Sequence, residues 1–130
     1  MRSTAVWFFV ALLASGCGAH RMYEGAELSD ASVAIVTGSR TVNGIRIFFR
    51  GWDEGGKEIT VYKIEVPAGE QRLTVHFAVR GGAVYGSGRL ITFDARGGHR
   101  YRVDGVEWDN KIYIWVEDTY THEVVGGEKP

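Results

Sequence analysis

Four histidines, one serine among glycines and two acidic pairs are the residues whose chemistry could make this chain an enzyme. His20, His76, His99 and His122 show no HxH or HExxH spacing, and no second cysteine stands near them, so no metal ligand set is expected. Tyr85-Gly86-Ser87-Gly88 approaches a nucleophile elbow but lacks a glycine two residues before the serine. The stretch from Arg80 to Gly88 is expected to be a flexible glycine-rich connection. Asp53-Glu54 and Glu117-Asp118 could supply paired carboxylates for glycosidase chemistry, yet beside turns such residues are ordinarily solvated. If the chain hosts catalysis, Glu117, Asp118 or His122 in the last hairpin is the residue expected to carry it. Arg80-Gly81-Gly82 and Arg96-Gly97-Gly98 have the form of RNA-binding RGG segments, but as two isolated copies between apolar runs they are expected to be turns. No catalytic residue and no cofactor is assigned.

The aromatic residues carry more. In Lys111-Ile112-Tyr113-Ile114-Trp115-Val116-Glu117, Tyr113 and Trp115 alternate with Ile112, Ile114 and Val116, so inward isoleucines would turn both rings outward. Trp52, Phe48 and Trp108 fall on polar faces by the same count. Exposed together, Tyr113, Trp115, Trp108 and Trp52 would form a surface for an envelope protein or a glycan such as peptidoglycan. The opposing expectation is that both faces of the strand are covered, or that the rings lie along arginine stems.

Cys17 is the only cysteine, which excludes an intrachain disulfide. Before it stand a basic start at Arg2, an apolar run from Ala5 to Leu13 and the small residues Ala14-Ser15-Gly16. That is the layout of a cleaved signal, and the uncharged stretch is too short to be favoured as a spanning helix. Leu13-Ala14-Ser15-Gly16-Cys17 resembles the bacterial lipobox, departing from it at Ala14, where leucine is commonest. The resemblance implies a diacylglyceryl group on the Cys17 thiol, cleavage before it and acylation of the new amino terminus. Two or more chains make a stable anchor where one would not. Gly18 follows, where retention on the inner membrane usually requires aspartate, so the expected address is the periplasmic side of the outer membrane. Residues 1–16 are thus read as signal peptide, 17–31 as lipidated cysteine and tether, and 32–130 as one folded domain.

Removal of Arg2 with the signal leaves 14 basic against 16 acidic residues, a net charge of −2, which favours neither nucleic acid nor anionic lipid as a partner. With 45% hydrophobic residues the chain can bury a core. Short alternating runs separated by glycine, asparagine and proline turns predict an all-β fold, a single antiparallel β-sandwich of about seven or eight strands. Two stretches, Ile64 to Phe77 around Pro67-Ala68-Gly69 and Phe93 to Val103 around Arg96-Gly97-Gly98, echo each other and are predicted to be hairpins. A half-open sheet capped by a short helix near Gly25 to Ser32 is the alternative.

The two echoing units, with Trp115-Val116-Glu117-Asp118 and the Glu123-Val124-Val125 end, resemble small bacterial envelope lipoproteins and, more loosely, PEGA-like and transthyretin-like sandwich modules. The resemblance implies fold and address. It points to a non-catalytic binding or structural module, the alternatives being a hydrolase-type envelope enzyme or a small-ligand carrier with an enclosed apolar cavity.

Overall fold

A computed structural model describes residues 18–39, 45–79 and 85–130. The signal segment, Cys17, the Asn43-Gly44 turn and Arg80-Gly81-Gly82 lie outside the described residues. The described chain is all-β, and its strands are β1 (His20–Arg21), β2 (Val33–Gly38), β3 (Ile45–Trp52), β4 (Glu58–Val61), β5 (Lys63–Pro67), β6 (Gly69–Val79), β7 (Tyr85–Ala95), β8 (Arg100–Trp108), β9 (Lys111–Asp118) and β10 (Val124–Gly127). A 3-10 turn at Asp30–Ser32 stands where a capping helix was the alternative.

The strands form a six-stranded sheet, β1-β5-β2-β8-β9-β10, and a four-stranded sheet, β4-β3-β6-β7. Alternation explains how the sheets pack. Ala34, Val36, Ile64, Val66, Tyr101, Val103, Ile114 and Val116 from the larger sheet meet Ile45, Ile47, Phe49, Leu73, Val75, Phe77, Ile91 and Phe93 from the smaller in one buried core. The sandwich expected from the sequence is present, with three differences.

First, ten strands are described, and the pairing is mixed. β2 runs parallel to β8, with Val36 opposite Tyr101, and β1 runs parallel to β5. Second, the stretch from Glu58 to Val66, which could read as one strand, is two. β4 pairs with β3 in one sheet, β5 pairs with β2 in the other, and only Tyr62 separates them. Third, β7 starts at Tyr85, so Ser87 lies in a strand opposite Phe77 rather than in a connection. The register there shifts between Phe77 and Ala78, leaving Gly86 as the extra residue of a bulge.

Both echoing units also change meaning. β5 and β6 belong to different sheets, as do β7 and β8, so Pro67-Ala68-Gly69 and Arg96-Gly97-Gly98 are arches between sheets and not hairpin turns. An arch and a hairpin use the same alternating pattern. In the arch, however, the two apolar rows face each other across the core, as Phe93 and Tyr101 do with ring centres 5.1 Å apart. Gly69 opposite Ala95 puts the arches at one end of the sandwich. They touch there. A β-carbon on Gly97 would lie 3.6 Å from that of Ala68 and would collide with the Ala31 carbonyl oxygen, so the position takes only glycine. The Ala68 N–H donates to the Ser32 carbonyl at 2.9 Å and the Gly98 N–H to the Val33 carbonyl at 2.7 Å.

Tyr101 secures the second arch. Its ring is buried and its hydroxyl accepts the Arg96 N–H at 2.8 Å, five residues upstream. This is the tyrosine-corner arrangement of Greek-key sandwiches. Burial pushes the phenol above its ordinary value, so it stays neutral and in place. Tyr101→Phe leaves the Arg96 N–H without that acceptor, and chemical denaturation is expected to show a loss of about 1–3 kcal/mol with the fold retained.

Candidate functional site

The aromatic strand is set by the turn that precedes it. Asp109 and Asn110 have φ of 54° and 60°, the left-handed pair of a two-residue hairpin, and they place Trp108 opposite Lys111, Val106 opposite Tyr113 and Asp104 opposite Trp115. Residues opposite each other share a face. Trp108, Tyr113 and Trp115 therefore lie along the outer face of the larger sheet, as the alternation predicts.

Their exposure differs. Trp108 is 64% exposed, whereas Trp115 is 7% exposed and does not stand in solvent with its neighbour. The cause is the end of β10 and the residues that follow it. Gly127 pairs with Trp115, the Glu128 N–H donates to the Ile114 carbonyl at 2.9 Å, and the Lys129 ammonium lies 5.5 Å from the centre of the Trp115 ring. Tyr113 is half-buried, with the Lys111 ammonium 5.4 Å from its ring centre. Trp52 is 57% exposed but belongs to the smaller sheet, opposite Glu58 at the end of β3. Phe48 also points outward yet is buried, stacked on His76 and flanked by Arg46. The four candidate aromatics thus form no single patch. Tyr113 lines a groove of about 470 Å³ with Leu90, Asn110, Lys111, Ile112 and Gly127, and Trp108, opposite Lys111, stands next to that lining without being part of it. Arg89 ties the two sides of the groove by donating to the Ile112 carbonyl at 2.6 Å.

A second, more polar cleft of about 360 Å³ is lined by Val33, Ile35, Lys63, Glu65, Arg100, His99 and Tyr120. Behind it Asp118 is 2% exposed and fully engaged. One carboxylate oxygen lies 2.7 Å from His99 Nδ1, and the other accepts the N–H groups of Tyr120 at 2.8 Å and Thr121 at 3.3 Å. Burial by itself pushes the Asp118 carboxyl up, but the hydrogen bonds from His99, Tyr120 and Thr121 outweigh it and hold the group below the usual aspartate value. Tyr120 meets the His99 ring edge-on at 5.2 Å.

Glu117, Asp118 and His122, the alternative candidates of the last hairpin, face different surroundings. Adjacent strand residues point to opposite faces, so Glu117 turns outward to Arg102 at 3.6 Å while Asp118 turns inward. His122 sits in the turn at φ 61°, contributing its backbone N–H to the Asp118 carbonyl at 2.8 Å. The partner of Asp118 is His99, a pairing the sequence pattern did not suggest. The signal was present in Asp109-Asn110: a two-residue turn there sets the register that puts Asp118 opposite Tyr101 and beside His99. The remaining histidines stand apart, His20 against Gly51 and His76 on Phe48. Among the described residues no group of three or more histidine, cysteine or acidic side chains converges on a metal position.

No family model, curated protein or solved structure matches this chain. The functional reading therefore rests on the residues and their geometry.

Because the folded Asp118 carboxyl titrates below its unfolded value, its contribution to stability is present above the unfolded pKa of about 3.9 and is lost as pH falls through the lower folded value. Denaturant titrations are expected to show Asp118→Asn less stable than the parent at neutral pH. The gap should narrow below about pH 4. An equal gap at every pH would show that the charge on Asp118 contributes nothing.

Proposed function

We propose that this chain is a lipid-anchored envelope protein, held on the periplasmic side of a bacterial outer membrane through Cys17, and that it acts as a non-catalytic binding module for an envelope protein or peptidoglycan. Leu13-Ala14-Ser15-Gly16-Cys17 and the following Gly18 support the anchor and the address. The observation that carries the binding role is Trp108. A large ring, 64% exposed, is held at a two-residue hairpin beside a groove that includes Tyr113 and Leu90. Exposed tryptophan on a rigid support is costly to display and suited to docking, since little conformational freedom is lost when it binds.

A second reading is favoured by one observation, the His99–Asp118 pair at the polar cleft. A histidine oriented by a buried carboxylate is the arrangement of a general base. In a hydrolase reading His99 would activate water for attack on a substrate in the cleft. The same contacts also serve structure, because Asp118 ties the β9–β10 turn to the start of β8. Under the binding-module reading His99→Gln lowers stability and removes no activity.

Cys17→Ala is expected to move the protein from the membrane to the soluble fraction of fractionated cells, and continued tight membrane association refutes the lipid anchor. Trp108→Ala should leave the melting temperature within a degree or two, as expected for roughly neutral surface substitutions. It should nevertheless reduce the yield of partner or peptidoglycan crosslinked to the Trp108 hairpin in intact cells. An unchanged crosslink removes this surface from the proposal.

A further inference from the structure

Trp52 is the one large exposed aromatic whose surroundings point to a particular occupant. The segment entering the domain does not hang free. His20 and Arg21 pair with Ile64 and Glu65 of β5, the Met22 N–H donates to the Glu65 carbonyl at 3.0 Å, and the Tyr23 hydroxyl donates to the Glu65 carboxylate at 2.6 Å. The chain is thus fixed to the fold at His20 to Tyr23. The His20 imidazole lies against Gly51, where a β-carbon would come within 2.7 Å of Nε2, so the ring rests on the backbone of β3. Trp52 is the next residue and is 57% exposed. The loop that follows is internally braced, Asp53 accepting the N–H groups of Gly55 at 3.0 Å and Lys57 at 2.9 Å, so Trp52 stands on a fixed support.

Cys17 is three residues before His20 and can be at most about 10 Å from it along an extended chain. We infer that Trp52 enters the headgroup layer of the membrane that carries the Cys17 lipid, forming a second point of attachment that sets the orientation of the domain. This inference rests on the lipidation proposed above. Tryptophan suits that layer because its body is apolar while its N–H keeps a polar partner. Charge bears on the lipid: Arg50 and Lys57 against Asp53, Glu54 and Glu58 leave a net of −1 around the ring, with Glu58 paired to Arg50 at 2.9 Å, so a zwitterionic phosphatidylethanolamine surface fits better than an anionic one.

The test uses the full lipidated chain purified from membranes and reconstituted into phosphatidylethanolamine–phosphatidylcholine vesicles whose acyl chains are brominated near the headgroup. Tryptophan emission is expected to be quenched by the bromolipid, the quenching to be lost in Trp52→Phe and kept in Trp108→Phe. Added phosphatidylglycerol should reduce it. Both substitutions replace exposed rings, and unchanged melting temperatures will show that the fold is intact. Quenching that persists in Trp52→Phe, or that grows with phosphatidylglycerol, overturns the docking. If the protein floats with the vesicles but Trp52 is not quenched, the anchor stands and the docking fails; if it does not float, both fail.

Discussion

Two backbone carbonyls, those of Ser32 and Val33, hold both places where the chain arches between the sheets. Ala68 and Gly98 donate to them, and Gly97 lies so close to Ala31 that a side chain there would part the arches. An arch differs from a hairpin in having no ladder of its own to satisfy its amides, so another strand must provide the acceptors. Here the start of β2 serves both. The two sheets face each other because this end is closed, and the core between them follows from it.

Much of the fold was legible in the sequence because alternation is a local property. The apolar rows Leu73, Val75, Phe77 and Tyr101, Val103 are core residues, as their period of two requires. What alternation does not encode is which sheet a row joins. Ile64 and Val66 point inward whether the chain folds back as a hairpin or crosses as an arch, and the split at Tyr62 shows only as a one-residue shift of phase, from Ile59 and Val61 to Tyr62, Ile64 and Val66. The parallel pairing of β2 with β8 is equally silent, since no turn joins those strands.

The site shows the same division. Alternation put Trp108, Tyr113 and Trp115 on one face, but exposure depends on what lies above a face. Gly127 and Lys129 cover Trp115 after a bulge in β10 that no residue pattern announced. His99 and Asp118 meet because the register of one hairpin carries them together, and that register was written in Asp109-Asn110. Once formed, the pair resolves a conflict. A buried carboxylate would otherwise prefer to be neutral, and three donors keep it ionised while fixing the last turn.

The position of β2 bears on how the chain reaches this structure. It lies between β5 and β8, and neither is its neighbour in sequence. The larger sheet cannot be zipped together from adjacent hairpins. β2 can pair with β5 once residue 67 is made, but its other edge waits for β8, so the centre is complete only after most of the chain has been made. Such a topology folds slowly, because loop entropy is lost before the long-range pairing returns anything. Under the export proposed above, the delay would coincide with the interval in which the chain must remain unfolded to cross a membrane.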